Sequence, residues 1–411
     1  MSRLEELIQQ HCPDGVEYVR FVDYANVLYG YPFDAAQFTS DNSYIPLIRI
    51  RDVLSGKAGT YYKGEYPKDY IIKKGDILVG MDGNFNLGIW DDIDGVLCQR
   101  VCKLYTKDET KLLNGFIRHY MKPVFRQIEE STAGGSVKHL SAKAINSIKI
   151  PLPPLPVQEE IVRILDNFAE LQAELQAELQ KRLQQYNYYR DKLLSFNDLN
   201  GGGYAVSVEW KKLGDIGVFY GGLSGKTKED FKDGNSKFIS YKNVFYNLSL
   251  NVDTDERVKI AEGEKQNTVQ YGDVLFTGSS ETPDECGMSS VLTQKTDEKL
   301  YLNSFCFGYR LHNPSQFCLD FLKHLFRSSE IRKQIGKTAS GTTRFNVSKK
   351  RFAEVSIPIP PLAVQKQIAD ILDKFYTLTA DLTEGLPAEI EARRKQYEYY
   401  RDQLLTFKQK S

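Results

Sequence analysis

The chain has 411 residues, too many for one ordinary domain and enough for two or three cores. Hydrophobic residues at 41%, with 12% aromatics, exclude a disordered, collagenous or disulfide-scaffold protein. Lysine plus arginine equal aspartate plus glutamate, 54 against 54, which excludes a global positive field, so a polyanion could be held only by local concentrations of charge.

The first thirty residues show no signal pattern and no run of about 18 apolar residues occurs, so a cytoplasmic protein without membrane association is expected. Cys12, Cys98, Cys102, Cys286, Cys306 and Cys318 show no short pairing and read as reduced core thiols.

In chain order, LEELIQQ leads into short strand-like runs bounded by Gly, Asn and Asp. They are VEYVRF from 16, YIPLIRI with Arg49 and Arg51, KKGDILVG from 73, and LCQRVCKL over 97 to 104. This pattern predicts a mixed α+β domain over 1–150. The Gly-rich turn from Gly80 to Asn86 is a candidate surface contact, as are the strands bearing Arg49 and Arg51. From Ser131 to Gln158 there is no acidic residue, and Lys138, His139, Lys143 and Lys149 occur. In this stretch Gly134, Gly135, Ser136, Lys138, His139 and Lys143 form the first candidate nucleic-acid contact. Glycines admit close backbone approach, the hydroxyl and backbone amides suit phosphates, and Lys138 is available for a guanine edge.

Prolines then stop the last strand, and Pro156 fits the first turn of a helix. Val157, Ile161, Ile164, Phe168, Leu171 and Leu175 step 4, 3, 4, 3, 4, the heptad spacing that places one stripe against a partner helix. AELQ repeats three times from Ala169 to Gln180, a tract of strong helix formers that reads as a straight spacer. The helical spacer covers 151–200 and ends in YNYYRDKLLSF before a linker-like NGGG.

A second mixed domain is expected over 201–357, from VEWKKL through KFISY, QYGDVLFTG and ASGTTRFNVS. Lys242 and Asn243, and the turn from Gly278 to Asp284, are candidate contacts there. Ile331 to Ala353 is free of acids and carries Arg332, Lys333, Lys337, Arg344, Lys349, Lys350 and Arg351. Gly341, Thr342, Thr343, Arg344, Asn346 and Lys349 form the second candidate contact, with Arg344 available for a guanine edge. A distal helical spacer over 358–411 repeats the stripe as Val364, Ile368, Ile371, Phe375, Leu378 and Leu382, and Gly385 with Pro387 predicts a kink or break within it.

These segments are two copies of one module. IPLPPLPVQEEIVRILDNF (150–168) recurs as IPIPPLAVQKQIADILDKF (357–375), identical at 12 of 19 positions at an offset of 207. YNYYRDKLLSF (186–196) recurs as YEYYRDQLLTF (397–407) at an offset of 211. The globular halves match only in outline, which suggests one body with two specificities. The fold expected is α+β: two repeated mixed domains joined by two long helices in an antiparallel coiled coil, with pseudo-two-fold symmetry.

The tryptophan- or tyrosine-led start, the GD-[IV]-L strand, LCQR, the IPxPPLxxQ turn and the YEYYRDxLL helix end together resemble the specificity subunits of Type I restriction-modification systems over essentially the whole chain. LNSFCFGYRL, at the second LCQR position, departs from the pattern. The resemblance implies that each globular half is a target-recognition domain for one half of a split double-stranded DNA sequence. It also implies that the helices set the gap and dock two adenine-methyltransferase subunits, which supply S-adenosylmethionine, while motor-nuclease subunits use ATP and magnesium. No cofactor or metal is expected on this chain.

Sharper motifs fail on spacing. GGLSGKT (221–227) would need glycine at 220 for a phosphate-binding loop, and Tyr220 stands there. Asp284, Asp297 and Lys299 fit a loose nuclease pattern that the first copy lacks. Cys306, His312, Cys318 and His324 recur every six residues, unlike the close pairs of structural zinc sites. No NPPY-like methyltransferase tetrapeptide occurs. A stand-alone bipartite DNA-binding regulator and, further off, a nuclease are the other readings.

Overall fold

A computed structural model describes residues 3–132, 138–196, 208–380 and 385–410. It divides into two compact units, Met1–Leu175 with Ile390–Ser411, and Gln176–Glu389. The boundary falls inside one 40-residue helix, Leu155–Leu194, so each unit takes one end of that helix.

The first unit is built on a four-stranded antiparallel sheet in the order Ala25–Tyr29, Val101–Thr106, Ile77–Gly80, Leu87–Ile89. A five-stranded sheet stands beside it, with Ile45–Ile48 parallel to Gly95–Leu97. The second unit repeats the plan: Gly217–Gly221, Cys306–Leu311, Val274–Thr277, Ser289–Val291, and a second sheet in which Ser236–Ile239 runs parallel to Leu300–Leu302. In both, the apolar face of the first sheet closes on a helix and on the start of a proline-led helix. Phe116, Phe125, Val157 and Ile161 do so in one unit, and Phe321, Phe352 and Ile368 in the other. Each fully buried side chain of this size contributes about 1.5 to 3 kcal/mol.

The repeated proline segment acts as an edge strand before it becomes a helix. Tyr18–Arg20 pairs with Lys149–Pro151 and Glu209–Lys212 with Ser356–Ile359, two-stranded sheets in which proline forfeits no ladder bond it needs. Gln158, fully buried, accepts from the Leu113 N–H at 3.0 Å and donates to the carbonyls of Lys111 and Pro153. Gln365 does the same with the Cys318 N–H and the carbonyls of Gln316 and Pro360. The glutamine of PPLxxQ is therefore a backbone splint, joining the helix start to the loop that precedes the domain's own helix.

The expected heptad stripe is divided between two tasks. Val157, Ile161 and Leu165 are fully buried in the first core, and Ile368 and Leu372 in the second. A straight helix of 3.6 residues per turn turns the early positions toward the domain. Only further along do side chains meet the other copy's helix: Phe168 stacks on Tyr400 and Phe375 on Tyr189, ring centroids 5.5 Å apart in both cases. Early turns of each copy's helix thus face late turns of the other's, the antiparallel sense expected. Ile371 and Leu378, read as stripe residues, are more than a third exposed instead, and Leu382 lies outside the described residues. No residue of the AELQ tract is buried.

The break near Pro387 is present. The first helix is described as far as Ala380, Gly385 lies in a bend, and the next helix runs Leu386–Leu404 with Pro387 in its first turn, where its missing N–H costs nothing. All six cysteines are free and five are buried. Among the described residues no helix is long and apolar enough to cross a membrane.

Candidate nucleic-acid interface

The GD-[IV]-L strands fix the candidate site. Gly80 stands opposite Val101, and Thr277 opposite Cys306, at the ends of their ladders. One residue further on, the Met81 N–H donates to the Arg100 carbonyl at 2.8 Å, and the Gly278 N–H to the Phe305 carbonyl at 2.7 Å. The acid-free loop then returns to the same point. The Leu140 N–H donates to the Met81 carbonyl at 2.7 Å and the Val347 N–H to the Gly278 carbonyl at 2.9 Å. This puts His139 opposite Asp82 and Asn346 opposite Ser279. Ser141 and Ser348 follow at once and cap the next short helix with their side-chain oxygens.

In the first unit Gly134, Gly135 and Ser136 lie outside the described residues. Lys138 donates from Nζ to the Glu129 carbonyl at 2.5 Å, closing the end of helix Asn114–Ser131. His139 is exposed and its Nδ1 lies 2.5 Å from Asp82 Oδ1. Lys143 is exposed on helix Ala142–Asn146.

In the second unit strands Ala339–Ser340 and Phe345–Val347 form a hairpin whose exposed tip carries Gly341, Thr342, Thr343 and Arg344. Gly341 has φ +150°, and a Cβ there would fall 2.0 Å from the Arg344 carbonyl, so the tip requires glycine. Arg344 lies over the Phe305 ring at 5.3 Å and donates from Nε to Ser279 Oγ at 3.1 Å. Asn346 is exposed beside it, and the Lys349 ammonium sits 5.6 Å from the centre of the Phe307 ring.

Other candidates separate. Arg49 and Arg51 line a concavity of about 420 Å³ together with Gln99, Arg100, Phe33 and Phe38, a cationic surface interleaved with aromatics. Asn243, in contrast, is buried: its amide donates to the Asn251 carbonyl and its oxygen accepts from the Asn251 N–H. Lys242 shares a groove with Asp253, Asp255 and Glu256, which would repel phosphate. Arg332, counted in the basic stretch, binds the carbonyls of Asp284, Cys286 and Gly287, and burial lowers its pKa to about 10. His324, from the zinc-like spacing, bonds Asp373 and Tyr186.

Asp82 and Ser279 fall inside the candidate turns Gly80 to Asn86 and Gly278 to Asp284, but sequence reading passed over Arg100 and Phe305, because their neighbourhood depends on strand register. The positive φ of Arg100, 71°, could not be read from sequence either. The assembled groups are donors, a flat cation and the exposed ring of Phe305, which suits recognition of phosphates and base edges.

A family model described as the Type I restriction modification DNA specificity domain matches the chain twice, over residues 13–185 and 206–392. A type I restriction enzyme specificity subunit of Escherichia coli is 32% identical over 365 residues, covering 84% of each chain. A solved S subunit of a Type-I restriction-modification system from M. genitalium superimposes with a TM-score of 0.50 at 15% identity, covering 95% of both chains. A chain from a structure of type I R-M complex assembly and conformational transition gives 0.58 at 18%, covering 95% of this chain and 97% of that one, which adds likeness of fold.

Proposed function

Because the chain belongs to the Type I restriction-modification DNA specificity family, we propose that it is the non-catalytic specificity subunit of such a complex, reading an asymmetric bipartite site in double-stranded DNA. Residues 1–150 and 201–357 then act as target-recognition domains, with 151–200 and 358–411 as helical spacers. Two adenine-methyltransferase subunits dock on the helices and bring S-adenosylmethionine, and motor-nuclease subunits use ATP and magnesium. Readers and chemistry are thereby separated, since one shared enzyme flips and methylates the adenine wherever the readers place it.

One observation supports this reading above the rest. The same backbone frame, from the strand end at Gly80 or Thr277 to the loop residues His139 or Asn346, carries different side chains in the two units. Hydrogen bonds of the frame are kept while the donors it presents are changed, as expected of two readers of different sequences. On this reading Lys138, His139 and Lys143 serve the first half-site, and Thr342, Thr343, Arg344, Asn346 and Lys349 the second, mostly through phosphates. Mapping modified adenines in cells that express the chain with its methyltransferase partner tests it. Two unlike half-sites separated by an unspecified gap are expected, and a single palindromic motif would overturn the proposal.

A further inference from the structure

Asp82 and Ser279 occupy equivalent positions, each two residues beyond the end of the paired strand and each opposite the returning loop. Each holds an arginine by the same nitrogen. Arg100 Nε lies 3.2 Å from Asp82 Oδ2, and Arg344 Nε lies 3.1 Å from Ser279 Oγ. Yet the two arginines are not equivalent. Register makes Arg100 the counterpart of Phe305, each on the turn just before its strand, whereas Arg344 comes from the hairpin tip.

The tether matters because it uses the side-facing nitrogen and leaves the end of the guanidinium. Among the described residues nothing bonds the terminal nitrogens of Arg100 or Arg344, and the Arg100 side chain is 65% exposed. Both forks are also braced. Phe305, 57% exposed, backs the Arg344 guanidinium with its ring, and Asp82, 16% exposed, is fixed from its other oxygen by His139. An arginine ordered before binding loses less rotamer freedom when it meets its target. Arg100 also sits at φ 71°, a left-handed conformation that costs a residue with a Cβ and that concentrates at functional sites.

We infer that each unit carries one guanine-reading arginine fork, Arg100 in the first and Arg344 in the second, anchored on equivalent residues but delivered from different loops. The ligand is the O6/N7 edge of a guanine in the major groove, the geometry that two parallel N–H donors of one arginine match. Different delivery gives the forks different offsets along the groove, so the two half-sites present guanine at different positions. The inference rests on the specificity-subunit reading and adds the residue and the base.

The experiment uses the full chain assembled with its methyltransferase subunits and duplexes carrying the mapped target, in which each guanine is replaced singly by 7-deazaguanine. The native complex is expected to lose about ten-fold in affinity at one guanine in each half-site. Arg100→Ala should abolish that sensitivity in the first half-site alone, and Arg344→Ala in the second alone. Arg100→Lys, which keeps the charge and guards against a folding defect, should also lose it while retaining affinity for unrelated DNA. Unchanged 7-deazaguanine sensitivity in the alanine variants, losses equal on all sequences, or a half-site without guanine on either strand would each overturn the inference while leaving bipartite recognition standing. A native complex with no sequence preference would instead remove the reading beneath it.

Discussion

His119 Nε2 lies 2.6 Å from Asp166 Oδ1, and the second unit repeats this pair as His324 and Asp373 at the same distance. The other ring nitrogen of each histidine meets a tyrosine hydroxyl, Tyr397 at 3.2 Å and Tyr186 at 3.0 Å. Each histidine therefore ties its domain's helix to the spacer helix of its own copy and to that of the other. With Nε2–H donating to the carboxylate and Nδ1 accepting from the tyrosine, the neutral ring satisfies both partners.

Burial lowers the pKa of His119 to about 4 and lowers that of His324 as well. A histidine held below its unfolded value of about 6.5 stabilises the fold above that pH, and the contribution is lost as the pH falls toward the folded value. Stability should therefore decline between about pH 6.5 and 4, by about 3 kcal/mol from His119 alone. Urea unfolding across this range measures it. His119→Gln should be less stable at neutral pH but show a flatter decline, and an unchanged slope would refute the assignment.

Gln158→Leu should destabilise the first unit by about 2 to 4 kcal/mol, because a buried N–H and two carbonyls lose their partner. Gln365→Leu should do the same in the second. Each unit has its own tryptophan, Trp90 in one and Trp210 in the other, so a single-tryptophan background reports each transition separately. Only the unit carrying the substitution should shift its midpoint.

Gly341→Ala should distort the hairpin tip, at about 1 to 3 kcal/mol of local strain. The tip is exposed and can relax part of this strain, so the thermal midpoint of the second unit should fall by no more than about 2 to 4 °C while discrimination in the second half-site weakens. Binding titrations against single-base variants of the target would show this, with the first half-site as internal control.

Deleting Gln172 to Leu175 removes one four-residue unit of the spacer, shortening the helix by about 6 Å and rotating it by about 40°. DNA rises about 3.4 Å per base pair. The gap between half-sites should change by about one to two base pairs while the half-sites keep their sequences. Methylation mapping reads both at once, and an unchanged gap with full activity would exclude a ruler.

The repeat, the proline strands, the helices and the break before Pro387 were legible in the sequence because each has a strong local cause: proline chemistry, helix propensity or near-identity between copies. The loops were legible through their missing acids. Individual contacts were not. Arg332 and Asn243 look like surface polar residues in sequence, yet both serve backbone groups, a role fixed by tertiary neighbours. Arg100 and Phe305 share no chemistry, and only strand register makes them the same position. The ties of His119 and His324 were not read from the sequence, although their partners Asp166 and Asp373 lie in the best-matched segment.

The first unit is completed by Tyr397, Leu404, Leu405 and Phe407, which join the core that includes Leu4 and Phe116. During synthesis those residues emerge only after all of Gln176–Glu389 has been made, a delay of roughly 10 to 40 s at about 5 to 20 residues per second. For that interval the earlier segment waits on the ribosome with part of its apolar surface uncovered, and the later unit can close first. Order of manufacture and order of assembly are thus reversed, which makes the half-made chain a natural client for chaperones.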